Sequence, residues 1–437
     1  MKKIIKKIVI YFLINIKLPI FIYLYIAFVR KKLLSIYQWI YVIKYTNNKF
    51  SLKHNVKNIK TKVHIILTLY HPSGGLTHSI NIKIKQNPNI YFIVLYSKKT
   101  LVNVKGYFNN EIIDYGDNLD PIKTMNILIA HYKIDLISIQ SLSGYNFNKM
   151  INYLCKQKIA LEVALHDFFY ICPSIFLINN KGKFCNVPDN VNTCKKCITF
   201  QFATMPFSNI AKRDSIQDIN VNSRRQNVQK LFDKADKLIA YSNSTINLYK
   251  KAFYINEENI IISDDLLLCS KDFITLPKNY NPFSFEKIKI AMVGSWADVK
   301  GSDVFSKMQN IIEKDNNLSS KISLVFIGNG ENIDKKIINI GSYNSQTLSN
   351  IIIRNEVSVC IIPSICNETF SITTQDCINV GIPIVVFGIG AMKERVVNYN
   401  KGLIINDINE ESVAILSNLQ IAEIAVTKII KWLEIIK

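Results

Sequence analysis

Short apolar runs bounded by turn-forming residues alternate with helix-length stretches through most of the chain. VHIILTLY (63–70), YFIVLY (91–96), DLISI (135–139), KIALEVAL (158–165), KLIAY (237–241) and NIIIS (259–263) read as buried strands, and HPSGG (71–75) turns the chain from the first of them toward a helix. Prolines and polar residues around NYNPF (279–283) form a linker. A second series then follows, with KIKIAMVG (287–294), KISLVFIG (321–328), VSVCIIPS (357–364), IPIVVFG (382–388) and GLIIND (402–407). Apolar strands separated by helical stretches predict mostly parallel sheets covered by helices. The pattern predicts a two-domain α/β protein, with a ligand cleft between the domains. The expected boundaries are an apolar basic extension over 1–50, a first domain over 51–280, a second over 281–422, and a helix over 423–437 that can run back across the first domain.

The composition fits such a fold. The 437 residues are 49% hydrophobic, with 15 Gly and 11 Pro, which excludes a mainly disordered, collagen-like or low-complexity chain. The formal charge of +21 points first to nucleic acid, but arginine occurs only at positions 30, 213, 224, 225, 354 and 395, and no known nucleic-acid-reading module is present. Nucleic acid is therefore not an expected partner. The distribution of charge matters more than its sum, because no Asp or Glu precedes Glu111 while lysines crowd the start. The apolar segment Ile8 to Val29 is long enough to cross a bilayer, yet Asn15, Lys17 and Pro19 interrupt it. A span, an interfacial anchor and a core helix all remain open for it, with a membrane as the expected partner of a basic, aromatic-rich edge.

Several clusters can carry chemistry. Cys172, Cys185, Cys194 and Cys197 fall in one insertion, where four thiolates can hold a structural zinc, form disulfides or stay unlinked. The other cysteines lie in or beside apolar elements and read as core thiols. HPSGGLTHS (71–79) offers Gly74 and Gly75 for close approach to a sugar or diphosphate, or else an ordinary turn. His166 and Asp167 follow a strand, as a general-base pair or as a capping pair. In the stretch from Pro363 to Val396, the backbone amides of Thr369, Phe370 and Ser371 stand at a helix start that can bind phosphate, and Glu368 and Asp376 are expected to reach into the cleft beyond the strands.

With ETFSITTQD, GIPIVVF, GIGAMKERV and GLIIND in this order, the chain resembles glycosyltransferase family 4, retaining enzymes that use sugar nucleotides. The resemblance covers about 63 to 430 and implies two facing Rossmann-like domains of GT-B type, here behind an N-terminal apolar helical extension. Asp376 stands where the family more often has Glu. By the resemblance, Glu368 contacts hydroxyls of the donor sugar, Asp376 the nucleotide ribose, and His166 orients hydroxyls near the donor. AMVGSWADVKG (291–301) is a further likeness, in which Gly294 ends a strand and Lys300 stabilises a departing diphosphate, while Ser295 replaces the family's frequent arginine. Gly328, in GNGEN, shapes the nucleotide pocket or merely a tight turn. The insertion resembles an elaboration of some bacterial polysaccharide glycosyltransferases. The resemblance implies a nucleotide-diphosphate sugar as donor and a capsule, lipopolysaccharide or lipid-linked glycan acceptor. It implies no cofactor required for transfer, which does not demand the structural zinc left open above. The implied location is the cytoplasmic face of a bacterial inner membrane, or the cytoplasm if the segment is no anchor. A noncatalytic sugar-nucleotide sensor is the alternative.

Overall fold

The computed structural model of the chain describes residues 20–46, 61–69, 75–98, 100–204, 220–264, 273–344 and 346–436. It divides into two units: Met1–Ile175, Val187–Ala240 and Tyr249–Ile262 form unit 1, and Phe176–Asn186, Tyr241–Leu248 and Ser263–Lys437 form unit 2.

Unit 1 is built on β1 (Val63–Leu69), β2 (Tyr91–Lys98), β3 (Leu101–Phe108), β4 (Glu111–Leu119), β5 (Leu136–Ile139), β6 (Ala160–Ala164), β7 (Lys237–Ala240) and β8 (Ile260–Ile262). Their order in the sheet is β4-β3-β2-β1-β5-β6-β7-β8. Neighbours from β2 through β1 to β8 pair in parallel, and β2-β3-β4 are antiparallel. The helices that accompany them are α1 (Ile20–Tyr45), α2 (Gly75–Gln86), α3 (Pro121–His131), α4 (Phe147–Leu154), α5 (Val191–Thr204), α6 (Val221–Lys234) and α7 (Asn243–Lys250), the last of which spans the division between units. The central strands are apolar on both faces because helices cover both: Ile65, Ile66, Leu67, Ile137, Ile139, Leu161 and Val163 are wholly buried.

The sheet is mostly parallel, as expected, but its antiparallel extension was not foreseen. β3 and β4 meet at Asn109 and Asn110, both at positive φ (50° and 65°), a conformation that Asn tolerates and that matches the twist of a two-residue hairpin. The Asn-Asn pair was the signal in the sequence. Lysine in β3 and acids in β4 masked it, because neither strand is a continuous apolar run.

Unit 2 carries β9 (Ile288–Trp296), β10 (Ile322–Gly330), β11 (Ile338–Gly341), β12 (Val357–Ile362), β13 (Ile384–Phe387) and β14 (Gly402–Ile405), all parallel, in the order β11-β10-β9-β12-β13-β14. Its helices are α8 (Ser302–Lys314), α9 (Asn316–Lys321), α10 (Leu348–Arg354), α11 (Ile372–Val380), α12 (Gly390–Val396), α13 (Glu410–Ile415) and α14 (Asn418–Ile436). The terminal α14 packs against α8 and β14 of its own unit, burying Ile421, Ala425, Ile429 and Leu433. Each unit is thus a Rossmann-like sheet with helices, and β11 was not foreseen because INIG is too short and half-exposed to stand out.

Of the N-terminal extension, α1 is described, whereas residues 1–19, with the first part of the apolar segment Ile8 to Val29, lie outside the described residues. No helix among the described residues is long and apolar enough to cross a membrane. Tyr23 and Ala27 of α1 are buried, the Tyr23 ring meets that of Phe200 in α5 at 5.0 Å, and Arg30 Nη1 donates to the Phe202 carbonyl at 3.0 Å.

One close approach organises unit 2. Gly328 on β10 pairs with Gly294 on β9, and a Cβ at 328 would stand 1.7 Å from the Gly294 carbonyl oxygen, at a φ of +155°. Gly341 (φ +106°) has nothing within 4 Å of such a Cβ. Gly328→Ala is therefore expected to destabilise the chain by about 2 kcal/mol or more, and Gly341→Ala by less, since it adds backbone strain alone. Thermal unfolding of the two variants gives the comparison, and equal losses would contradict the backbone contact.

Candidate functional site

In unit 2, β9 runs past Gly294 through Ser295 to Trp296, and a single 3-10 turn at Asp298–Lys300 follows. The turn ends on Gly301 at φ +84°, where a Cβ would lie 1.9 Å from the carbonyl oxygen of Pro363. Only glycine lets this loop lie against the one after β12, and the two are tied by the Ile365 N–H to the Val299 carbonyl at 3.2 Å. The contact sets Lys300 Nζ 3.1 Å from Glu368 Oε1, and Ser364 Oγ donates to the same oxygen.

Burial opposes charge on both partners, and each compensates the other. For Lys300 the Glu368 carboxylate outweighs burial, so the ammonium's pKa rises. For Glu368 the opposing burial is overcome by Lys300, Ser364 and Ser371, and its pKa falls below the usual carboxylate value. Both are therefore ionised at neutral pH. The Glu368 carbonyl accepts the Ala391 N–H at 3.1 Å, and Glu410 accepts from the Gly390 N–H at 3.0 Å, which fixes the Glu368 loop against α12.

Helix α11 begins just beyond. Its N-cap, Ser371, has φ 61° and ψ 71°, a left-handed conformation that costs a non-glycine residue free energy, and its side chain makes no capping hydrogen bond to the helix. The Ser371 hydroxyl instead meets Thr374 Oγ1 at 2.8 Å. The helix starts at Ile372, so Thr369 and Phe370 belong to the bend before it rather than to its first turn. Arg395 of α12 holds that bend, with Nε donating to the Phe370 carbonyl, Nη1 to Gln375 Oε1 at 3.2 Å, and the guanidinium 3.5 Å from the Phe370 ring centroid. Gly294 (φ +120°) meets α11 directly, as a Cβ there would be 3.2 Å from Thr373 Oγ1.

Asp376 lies inside α11 and is buried, accepting from the Tyr343 hydroxyl at 3.1 Å. Burial pushes its pKa up to about 7, with the Tyr343 hydrogen bond opposing. The two acids eight positions apart thus have separate partners, one ionised against a lysine and one poised to hold a proton. Ser364, Tyr343 and Arg395 were missed in the sequence, and Ser371 was read for its backbone amide and not its hydroxyl, because hydroxyls and one arginine carry no pattern until the loops are folded.

In unit 1, Gly75 opens α2, and Gly74 lies outside the described residues. His166 follows β6 and lies against Gln140, Nε2 to Oε1 2.6 Å. Gln140 Nε2 donates to Ser138 Oγ at 2.8 Å, which donates to Glu162 Oε1 at 2.5 Å, and Lys83 of α2 pairs with Glu162. An ionised carboxylate only accepts, so the direction of the chain is set: Gln140 presents its oxygen and His166 Nε2 carries the ring proton. Burial, with Lys83 adding to it, lowers the His166 pKa to about 3 and keeps the ring neutral. Asp167 is the next residue along the chain. Its Oδ1 accepts the Phe169 N–H at 2.8 Å and its carbonyl the Tyr249 hydroxyl at 2.6 Å, and burial raises its pKa to about 6. Glu162 was visible as the one acid within KIALEVAL.

The cysteine insertion corrects the zinc expectation. Cys194 and Cys197 lie on helix α5, not on a chelating turn, and Cys194 packs with Ile198, Val221 and Cys172 in an apolar cluster. Arg225 Nη2 points at the Cys194 sulfur (3.8 Å), Ser174 N–H at that of Cys172 (3.4 Å), and Gln201 Nε2 at that of Cys197 (3.5 Å). Among the described residues no group of three or more His, Cys, Asp or Glu can hold a metal ion. These residues do not fit a tetrahedral zinc site.

No protein-family model and no curated protein sequence matches the chain. Among solved structures, it is similar to Anabaena HepE in complex with UDP and glucose (11% identity, 84% of this chain and 93% of that one, TM-score 0.45). It is also similar to sucrose-phosphate synthase from Thermosynechococcus elongatus (13%, 84% and 91%, TM-score 0.48) and to a glycosyltransferase from Rickettsia africae (13%, 85% and 94%, TM-score 0.47). Likenesses this remote assign no activity.

Two outcomes follow from the site. Elemental analysis of reduced protein purified without added metal should find zinc far below one per chain, and near-stoichiometric zinc would overturn the correction. For Asp376, the folded chain keeps its proton to higher pH than the unfolded chain, whose value is near 3.8. Its contribution to stability is full below that value and is lost as the pH rises through about 7. Asp376→Asn is neutral throughout, so it should raise Tm at pH 8, by an amount on the order of a few kcal/mol in stability, and give no gain at pH 4. Parallel Tm curves for the two proteins would refute the buried, proton-holding carboxyl.

Proposed function

We propose that the chain transfers a sugar from a nucleotide-diphosphate donor to a hydroxyl acceptor, and that unit 2 binds the donor's diphosphate. One observation carries this reading: an ionised lysine, locked beside Glu368, lies next to the loop that leads into α11, whose N-cap residue Ser371 makes no side-chain cap. An ammonium and a helix N-terminus both favour the charge of a diphosphate. Glu368 takes one of the three N–H donors of Lys300, and the diphosphate would take another. The likeness of ETFSITTQD and its neighbours to glycosyltransferase family 4 supports the same reading and extends it to transfer with retained anomeric stereochemistry.

In this reaction the bond from the sugar's anomeric carbon to the diphosphate oxygen breaks while a bond to the acceptor oxygen forms on the same face. The acceptor's proton passes to the departing phosphate. Lys300 and the α11 amides stabilise the charge that grows on that phosphate, and Glu368 accepts from sugar hydroxyls. Asp376 is assigned to the ribose, and the neutral His166, with its orientation set by Gln140, to a hydroxyl of the reacting sugars. Orientation and electrostatics lower the barrier, without a covalent enzyme intermediate. A surface-polysaccharide or lipid-linked glycan is the acceptor class we assign, from the family likeness of the insertion.

The test is nucleotide diphosphate release from UDP-, GDP-, ADP- and dTDP-sugars, with and without lipid-linked acceptor fractions. Lys300→Met should cut turnover by roughly 10²- to 10³-fold and weaken binding of the diphosphate product. Glu368→Gln should lower turnover more than it weakens nucleotide binding. Unchanged turnover in either variant would remove that residue from the mechanism, and donor binding without turnover by the parent chain would make it a sensor.

A further inference from the structure

The outward face of α1 has no role in the reading above. Tyr25, Phe28, Ile36, Trp39, Ile40 and Ile43 are each at least 50% exposed. Their spacing is helical: 25 to 28, and 36 to 39, 40 and 43, with 25 and 36 three turns apart, so they fall on one stripe. At 1.5 Å per residue the stripe is roughly 27 Å long. The opposite side of the helix is already used, since Tyr23, Ala27 and Arg30 face α5. Scattered exposed apolar side chains need no explanation, but a continuous row of large ones does.

Charge identifies what covers the row. Lys32 lies within the stripe, its ammonium 5.6 Å from the centroid of the Phe28 ring, and Lys31 and Lys44 are exposed on its two flanks. The helix contains no acidic residue, and the sequence has none before Glu111. A second copy of the face would set lysines against lysines. Residues 1–19 of the same chain carry five lysines and no acid, and would do the same. An anionic bilayer meets both requirements at once, taking the aromatic and aliphatic row into its headgroup boundary and the ammonium groups against its phosphates. We propose that α1 is a docking helix that lies flat on an anionic phospholipid surface by this face, with its α5 side turned to the protein. A charged Lys32 in the middle of the stripe suits a helix lying in the plane, where a long side chain reaches the headgroups.

The test is co-sedimentation of the full chain with vesicles of phosphatidylcholine alone and of phosphatidylcholine mixed with phosphatidylglycerol, at low and high salt. Binding is expected to the mixed vesicles, with salt weakening it, and a blue shift of tryptophan emission that Trp39→Phe removes. Changing Lys31, Lys32 and Lys44 to Gln should lower the partition coefficient about fivefold per lysine. Ile36→Glu with Ile40→Glu should abolish binding while far-ultraviolet circular dichroism stays as in the parent. Equal binding to both vesicle types, no binding to either, or a fully bound double variant would overturn the proposal. So would a concentration-dependent dimer that the double variant disperses, which would give the face to a second copy. Resistance of Trp39 to acrylamide quenching without vesicles would show that the chain covers the face itself.

Discussion

The carbonyl oxygen of Pro363 occupies the space where a side chain at position 301 would stand, and much of the candidate site in unit 2 depends on that contact. Because Gly301 gives way, the turn at Asp298–Lys300 lies against the loop after β12, and the lysine meets Glu368 without reaching for it. The Gly328 and Gly294 contact does the equivalent for β9 and β10, bringing two strand ends together backbone to backbone. Strand ends packed this closely leave the loops little freedom. A site made of loop residues then has the rigidity ordinarily supplied by regular elements.

Three acids within these units show how environment rather than residue type sets protonation. Glu368 and Asp376 are both removed from solvent, yet one has a cation within hydrogen-bond distance and the other a phenol. The first stays charged and the second gains a proton near neutrality. Glu162, buried with Lys83, anchors a line of hydrogen bonds that ends on His166. A charge deep in unit 1 thereby decides which nitrogen of a ring several residues away carries hydrogen.

Apart from β11, the parallel strands were legible in the sequence because they are short, mostly apolar runs, and strands covered on both faces can be little else. β3 and β4 were not, since they alternate and carry charge, although the Asn-Asn turn between them was in plain view. Of the site, Lys300 and Glu368 came from motif likeness, and their contact came only from the fold. The zinc expectation failed for a local reason: a Cys-x-x-Cys spacing is as compatible with one turn of a helix as with a chelating loop, and α5 takes the helix. His166 and Asp167 were neighbours in sequence whose side chains found other partners, which spacing along a strand end does not foretell.

The antiparallel extension has a bearing on how the protein behaves in a crowded solution. β4 is nine residues long and forms one border of the eight-stranded sheet, and it bears Glu111 and Asp117 exposed where a second molecule could add a strand. The opposite border, β8, has three residues, and the borders of the other sheet, β11 and β14, have four each. Among the described residues, every open border is thus too short or too charged to template the growth of a shared sheet. A chain with nearly half its residues apolar is protected at its sheet margins from the ordered aggregation that such a composition invites.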